Sequence, residues 1–113
     1  RLDLSMPKEL GGPGVATSTN PEELFACGYA ACFHSALKFV AMRQKLDTSD
    51  STVTAQVSLF RNDAGGFKLG VALSVALPKL DHDTAVKLVE TAHQVCPYSN
   101  ATRGNIDVAL HVA

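Results

Sequence analysis

The segment LFACGYAACFHSALKFVAM, Leu24–Met42, carries only His34, Ser35 and Lys38 as strongly polar residues. A helix start precedes it. Asn20 can cap the first turn, Pro21 suits the first helical position, and Glu23 stands where a capping box places its acid. This signal predicts a helix from Pro21 to about Lys45. A helix that is apolar on nearly every side has to be covered on nearly every side. The rest of the chain is therefore expected to fold around it, with this helix at the centre rather than on the surface.

The flanking patterns supply a sheet and a second helix. Leu2, Leu4 and Met6 alternate with Asp3 and Ser5, which reads as a short strand. Gly11, Gly12, Pro13 and Gly14 then open a loop. After the long helix, Val53, Ala55, Val57 and Leu59 alternate with Thr52, Thr54, Gln56 and Ser58. Asn62–Gly66 reads as a turn, Phe67–Leu77 as the returning strand, and Pro78 as its end. Asp81 or Asp83 opens a second helix whose stripe is Ala85, Leu88, Val89 and Ala92. Pro97 disfavours helix at Cys96, which places that cysteine at or just past the helix end. Ile106, Val108, Leu110 and Val112 read as a last strand. Strand, helix, hairpin, helix, strand is an α+β order, with helices on a mainly antiparallel sheet and residues 1–113 as one domain.

Bulk properties narrow the function classes. The formal charge is −1, so no basic field points to nucleic acid or to an anionic membrane. No unbroken apolar run approaches the ~20 residues that span a bilayer. No secretory signal is visible, and the first residue is Arg1 rather than Met. The 3 cysteines are too few and of the wrong parity for a disulfide-stapled secreted domain, so a cytoplasmic location is expected. Any disulfide there would be transient and catalytic rather than structural. No Cys-x-x-Cys pair or finger-like Cys/His spacing occurs, which argues against a zinc site; no bound cofactor or metal is expected.

The thiols admit two readings. Cys32 lies among small and apolar residues, where free cysteine is most often a packing residue and burial raises the thiol pKa. As a nucleophile it would need a nearby positive charge. Cys96, followed by Pro97, Tyr98, Ser99 and Asn100, sits in a polar, turn-like setting. The two could join if the fold brings their Cα atoms within ~7 Å. Cys27, five positions before Cys32, points elsewhere on the helix and reads as packing. His34 and His93 read as satisfied helical histidines, and Arg61 and Arg103 as surface or structural residues. Glu22 has a plain alternative as a first-turn acid facing the helix dipole.

The segments TNPEELFACGYAACFHSALKFVA and AHQVCPYSNATRGNIDV closely resemble two signatures of the organic hydroperoxide resistance proteins (Ohr) of the OsmC-like superfamily. ELGGPG resembles the glycine loop before the first of them, and the likeness runs in order over essentially the whole chain. The resemblance implies an OsmC-like α+β fold in an intertwined homodimer. It implies a thiol-dependent peroxidase that reduces fatty or aryl hydroperoxides to alcohols. Cys32 would be the peroxidatic thiol, Cys96 the resolving thiol, and Glu22 the carboxylate that orients a catalytic arginine. Dihydrolipoyl groups on a lipoylated protein would be the reductant, themselves reduced through lipoamide dehydrogenase. In the family that arginine belongs to a glycine-rich turn before the first strand, so residues 1–113 are expected to lack the N-terminal segment that carries it. Cys27 matches a family position that is more often alanine.

Glu22 and Cys32 are ten positions apart, ~15 Å along one helix axis at 1.5 Å per residue. They cannot meet within one regular helix, so a second copy would have to present Glu22 to a Cys32 site. Two other functions share the same residues. The thiols could form a redox switch that alters partner binding without turnover, or they could be inert residues of an OsmC-like ligand-binding module.

Overall fold

The computed structural model describes residues 1–113, in the order α1 (Pro21–Arg43), β1 (Thr52–Arg61), β2 (Phe67–Ala76), α2 (His82–Val95), α3 (Pro97–Thr102) and β3 (Val108–Val112). A short 3-10 turn, Lys8–Leu10, precedes α1. Asn20 caps α1 through Oδ1, which accepts from the Glu23 N–H at 2.9 Å. The Asn20 Nδ2 donates to Glu23 Oε1, also at 2.9 Å. The acid thus returns to the cap's side chain rather than to its backbone, a variant of the expected box. α1 ends at Arg43, slightly short of the expected end, because Lys45 turns the chain at φ 57°.

β1 and β2 form the hairpin, from Thr52 opposite Ala76 to Arg61 opposite Phe67. Asn62 closes its turn by accepting at Oδ1 from the N–H groups of Ala64 and Gly66. β3 lies on the far side of β2 and runs parallel to it, from Val71 opposite Val108 to Val75 opposite Val112. The sheet is mainly antiparallel, with one parallel pair. α2 and α3 form the crossover between the parallel strands, which a two-residue hairpin could not connect. Asp81 caps α2 through the N–H and hydroxyl of Thr84. The core joins Tyr29, Phe33 and Leu37 of α1, Leu73 and Val75 of β2, and the expected α2 stripe Ala85, Leu88, Val89 and Ala92.

Leu2–Met6 does not join the sheet. Leu4 makes one isolated parallel bridge to Thr19. Alternation forms a strand when one face can be buried, and Leu2, Leu4 and Met6 are 66%, 55% and 55% exposed.

Nor does the chain cover α1 on most sides. Tyr29, Phe33, Ala36, Leu37, Val40 and Ala41 are buried. Leu24, Cys27, Ala31, Ser35, Phe39 and Met42 are exposed. They recur every three or four residues, the spacing of one helix face. Cys27, expected to be a packing residue, lies on this exposed stripe, because its offset from Cys32 turns it away from the core. By length and hydropathy α1 is also apolar enough to cross a membrane. This departs from the expectation that no apolar run approaches a span, because Glu22, Glu23, His34, Ser35 and Lys38 interrupt the run without lowering its mean hydropathy far. In this fold its inner face is core.

Candidate active site

Cys96 links two helices. Its N–H donates to the Ala92 carbonyl at 2.8 Å, closing α2, while its extended backbone (φ −61°, ψ 124°) leads into α3. Pro97 explains both events. It prevents α2 from continuing, and with its fixed φ and no N–H it suits the first position of a new helix. The short helix α3 is absent from the sequence pattern of alternating and striped residues, and its one local signal is Pro97 at its first position. The polar setting expected around Cys96 is true of its neighbours in sequence but not of the thiol. Cys96 is 0% exposed and belongs to the hydrophobic core. Cys32 is half-buried on α1 and packs against that core. The two sulfurs lie 3.4 Å apart as free thiols, with Cys96 Sγ donating to Cys32 Sγ.

Tyr98 packs against Gly28 of α1, one turn before Cys32, where the missing side chain leaves it room. A Cβ on Gly28 would sit 3.0 Å from the Tyr98 hydroxyl and 3.2 Å from Cε2. The Tyr98 ring stacks on Phe25 at 6.0 Å and meets Tyr29 edge-on at 5.7 Å. The Tyr98 backbone favours the Cys32 thiolate. Burial outweighs that effect and pushes the Cys32 thiol above its ordinary value, and the neighbouring Cys96 thiol adds to the rise.

Beneath the sulfurs lies a buried polar group. The Tyr29 hydroxyl bonds Ser99 Oγ at 2.8 Å and Thr102 Oγ1 at 3.2 Å. Ser99 Oγ also bonds His93 Nδ1 at 2.8 Å. His34 Nε2 bonds Ser51 Oγ at 2.8 Å. Both histidines therefore have serine partners. Burial holds each below its ordinary pKa, with Lys38 adding to the effect on His34 and Arg103 on His93. Arg103 donates to Asn100 Oδ1 and to the His93 carbonyl, both at 2.6 Å, and so ties α3 to α2. Arg61 lies over the Phe67 ring.

The structure does not bring Glu22 to the thiols. It lines a recess of about 680 Å³ between the start of α1 and β1, with Pro7, Leu10, Ala26, Val57 and Leu59 among its neighbours. Its Oε2 is buried and receives no hydrogen bond. A buried carboxylate oxygen without a donor is costly, and a guanidinium fork is the side chain best shaped to satisfy it. No group of three or more His, Cys, Asp and Glu residues is arranged to hold a metal ion.

Fold and site together define an α+β protein with a thiol pair, one half-buried and one buried, set between its core helix and a helix junction. Residues 12–111 match the OsmC-like protein family. The solved structure of the organic hydroperoxide resistance protein OsmC from Legionella pneumophila superposes with a TM-score of 0.94 at 55% identity, over 99% of this chain and 80% of that one. OhrB of Bacillus subtilis superposes with a TM-score of 0.85 at 50% identity, over 96% of this chain and 78% of that one. The organic hydroperoxide resistance protein of Xanthomonas axonopodis pv. citri is 51% identical over 97% of this chain and 77% of its own length. The chain belongs to the OsmC-like family, and within it to the organic hydroperoxide resistance proteins.

Proposed function

We propose that the chain is a thiol-dependent peroxidase acting on organic hydroperoxides. The observation that carries this reading is the 3.4 Å approach of a half-accessible thiol, Cys32, to a buried one, Cys96. The substrate class comes from the relatives, which are named for organic hydroperoxide resistance. In the first step the Cys32 thiolate attacks the terminal oxygen of the hydroperoxide. The O–O bond breaks, the alkoxide takes a proton and leaves as the alcohol, and Cys32 becomes a sulfenic acid. Cys96 then attacks the Cys32 sulfur, the S–S bond forms, and the hydroxyl leaves with a proton as water. A dihydrolipoyl dithiol returns both thiols by two exchanges and leaves as the cyclic lipoyl disulfide, to be reduced through lipoamide dehydrogenase. The apolar α1 surface before Cys32, where Tyr98 stacks on Phe25, suits a fatty or aryl hydroperoxide better than hydrogen peroxide.

Glu22 belongs to the same reading as the carboxylate that orients an arginine. Its donorless Oε2 favours such a partner. The arginines of residues 1–113 are engaged elsewhere: Arg1 with Asp3, Arg43 over Phe39, Arg61 over Phe67, and Arg103 on Asn100 and His93. The exposed apolar stripe of α1 favours a homodimer in which two copies of this helix lie antiparallel. That arrangement would carry Glu22 of one copy toward Cys32 of the other.

Steady-state loss of cumene hydroperoxide with dihydrolipoamide tests the proposal. Turnover is expected to be sustained but slow, since Cys32 is held above its ordinary pKa, and to be abolished by Cys32→Ser. One stoichiometric oxidation without turnover would favour the redox switch, and no reaction at all would favour the inert binding module.

A further inference from the structure

The contacts between α1 and α3 come in two layers. Cys32 meets Cys96 at 3.4 Å, and Tyr29 meets Ser99 at 2.8 Å. Tyr29 is three residues before Cys32 on α1, and Ser99 is three residues after Cys96 along α3. The two helices therefore run locally antiparallel, and the hydroxyl pair sits three residues, ~4.5 Å, below the sulfur pair. We propose that the buried Tyr29–Ser99 hydrogen bond is a positioning lock for the thiol pair, setting the register of α3 on α1 that keeps Cys96 opposite Cys32. The inference rests on the reading that these two sulfurs join.

Several features support a lock rather than incidental polarity. Tyr29 and Ser99 are both 0% exposed, and Thr102 is 3% exposed. Buried hydroxyls in an apolar core are costly unless each is paired. The chain of groups is complete in either direction. Ser99 can donate to His93 Nδ1 and accept from Tyr29, with Thr102 donating to the Ser99 carbonyl or to Tyr29. Alternatively His93 donates to Ser99, Ser99 to Tyr29, and Tyr29 to Thr102. Sliding α3 by a residue would leave several of these groups unpaired at once, whereas an apolar contact would tolerate the shift. Such a lock matters here because α3 has only 6 residues and leaves Cys96 on the hinge between it and α2. The sulfurs must close from 3.4 Å to the ~2.05 Å of a bond. That requires a small, directed movement with the register retained.

The test is the equilibrium of the chain with reduced and oxidised glutathione. Two exchanges convert the Cys32 and Cys96 thiols and one glutathione disulfide into the protein disulfide and two glutathione thiols. The equilibrium constant is the effective concentration of one thiol at the other. Tyr29→Phe and Ser99→Ala should each lower it about five- to tenfold, the weight of one buried hydrogen bond. The double variant should fall by less than the product of the two single effects, since the Tyr29–Ser99 bond they share is lost only once. Val75→Ala, in the sheet core, should lower the melting temperature while leaving the effective concentration within about twofold. Effective concentrations unchanged in both Tyr29→Phe and Ser99→Ala would overturn the proposal. So would a wild-type chain that forms only mixed disulfides with glutathione. Failure of the peroxidase reading would show differently, as a chain that equilibrates with glutathione and leaves cumene hydroperoxide unconsumed.

Discussion

Raising the pH should switch on Cys32 about tenfold per unit. Burial pushes this thiol above its ordinary value of 9.0, Cys96 adds to the rise, and the Tyr98 backbone opposes it without reversing it. A thiol with a pKa at or above 9.0 is at most about one part in a hundred thiolate at pH 7. The thiolate is the species that reacts. Alkylation of Cys32 by iodoacetamide should therefore accelerate about a hundredfold between pH 6 and pH 8 and still be climbing at the upper limit. Mass spectrometry of digested protein gives the rate at each cysteine. A Cys27→Ser background removes the exposed thiol on the outer face of α1. A rate that levels off below pH 8 would refute the reasoning. It would mean that a cation within residues 1–113, on the same copy or a second one, lowers the Cys32 pKa.

Acid should destabilise the fold from about pH 6.5 downward. His34 and His93 are held below their ordinary value of 6.5, so the unfolded chain takes up protons first; the stability is full above that value and is lost as pH falls toward the folded-state values. Urea midpoints measured across this range check it, and His93→Gln should flatten part of the slope. Gly28→Val should cost about 1–3 kcal/mol by overpacking, since even its Cβ would stand 3.0 Å from the Tyr98 hydroxyl; an unchanged urea midpoint would contradict this. Met42→Glu puts a charge on the exposed stripe where Met42 is 70% exposed; the proposed pairing of two α1 helices predicts that it weakens self-association in sedimentation with little loss of fold.

Much of this architecture was legible because periodicity reports burial directly. The α2 stripe Ala85, Leu88, Val89 and Ala92 is buried as its spacing requires, Asn20 caps α1 as expected, and of the two candidates Asp81 and Asp83 it is Asp81 that caps α2. Strand direction was less accessible. Val108–Val112 has the same alternation whether it pairs parallel or antiparallel, and only the length of the α2–α3 crossover distinguishes the two. Leu2–Met6 shows the limit of alternation, which signals a strand only when a surface exists to receive its apolar face. The central helix was identified correctly, but its cover was not. Apolar residues on all sides state a need for burial, and a single copy of this chain meets that need on one side.

At the candidate site, Cys32 and Cys96 could be singled out by motif, yet their approach depends on contacts far apart in sequence. Pro97 signalled the end of α2 but was not read as the start of α3, the element that places Cys96 against Cys32. Tyr29, Ser99 and His93 gave no sequence signal of joint action. Tyr29 looked like one more apolar residue of a buried helix, and its hydroxyl acquires a partner only when α3 docks 70 residues later. Gly28 could have been noticed, since a glycine inside a long helix is disfavoured by ~1 kcal/mol unless something approaches closely.

The central claim is that Cys32 and Cys96 act as an oxidisable pair with divided roles. Its most direct measurement is the mass of the intact protein, with peptide mapping, after one equivalent of cumene hydroperoxide. The account predicts that the wild-type chain loses two hydrogens and yields a Cys32–Cys96 cross-linked peptide. Cys96→Ser should instead gain one oxygen at Cys32, captured by dimedone, and Cys32→Ser should stay unchanged. Oxidation that appears first on Cys96, or that persists in Cys32→Ser, would contradict it.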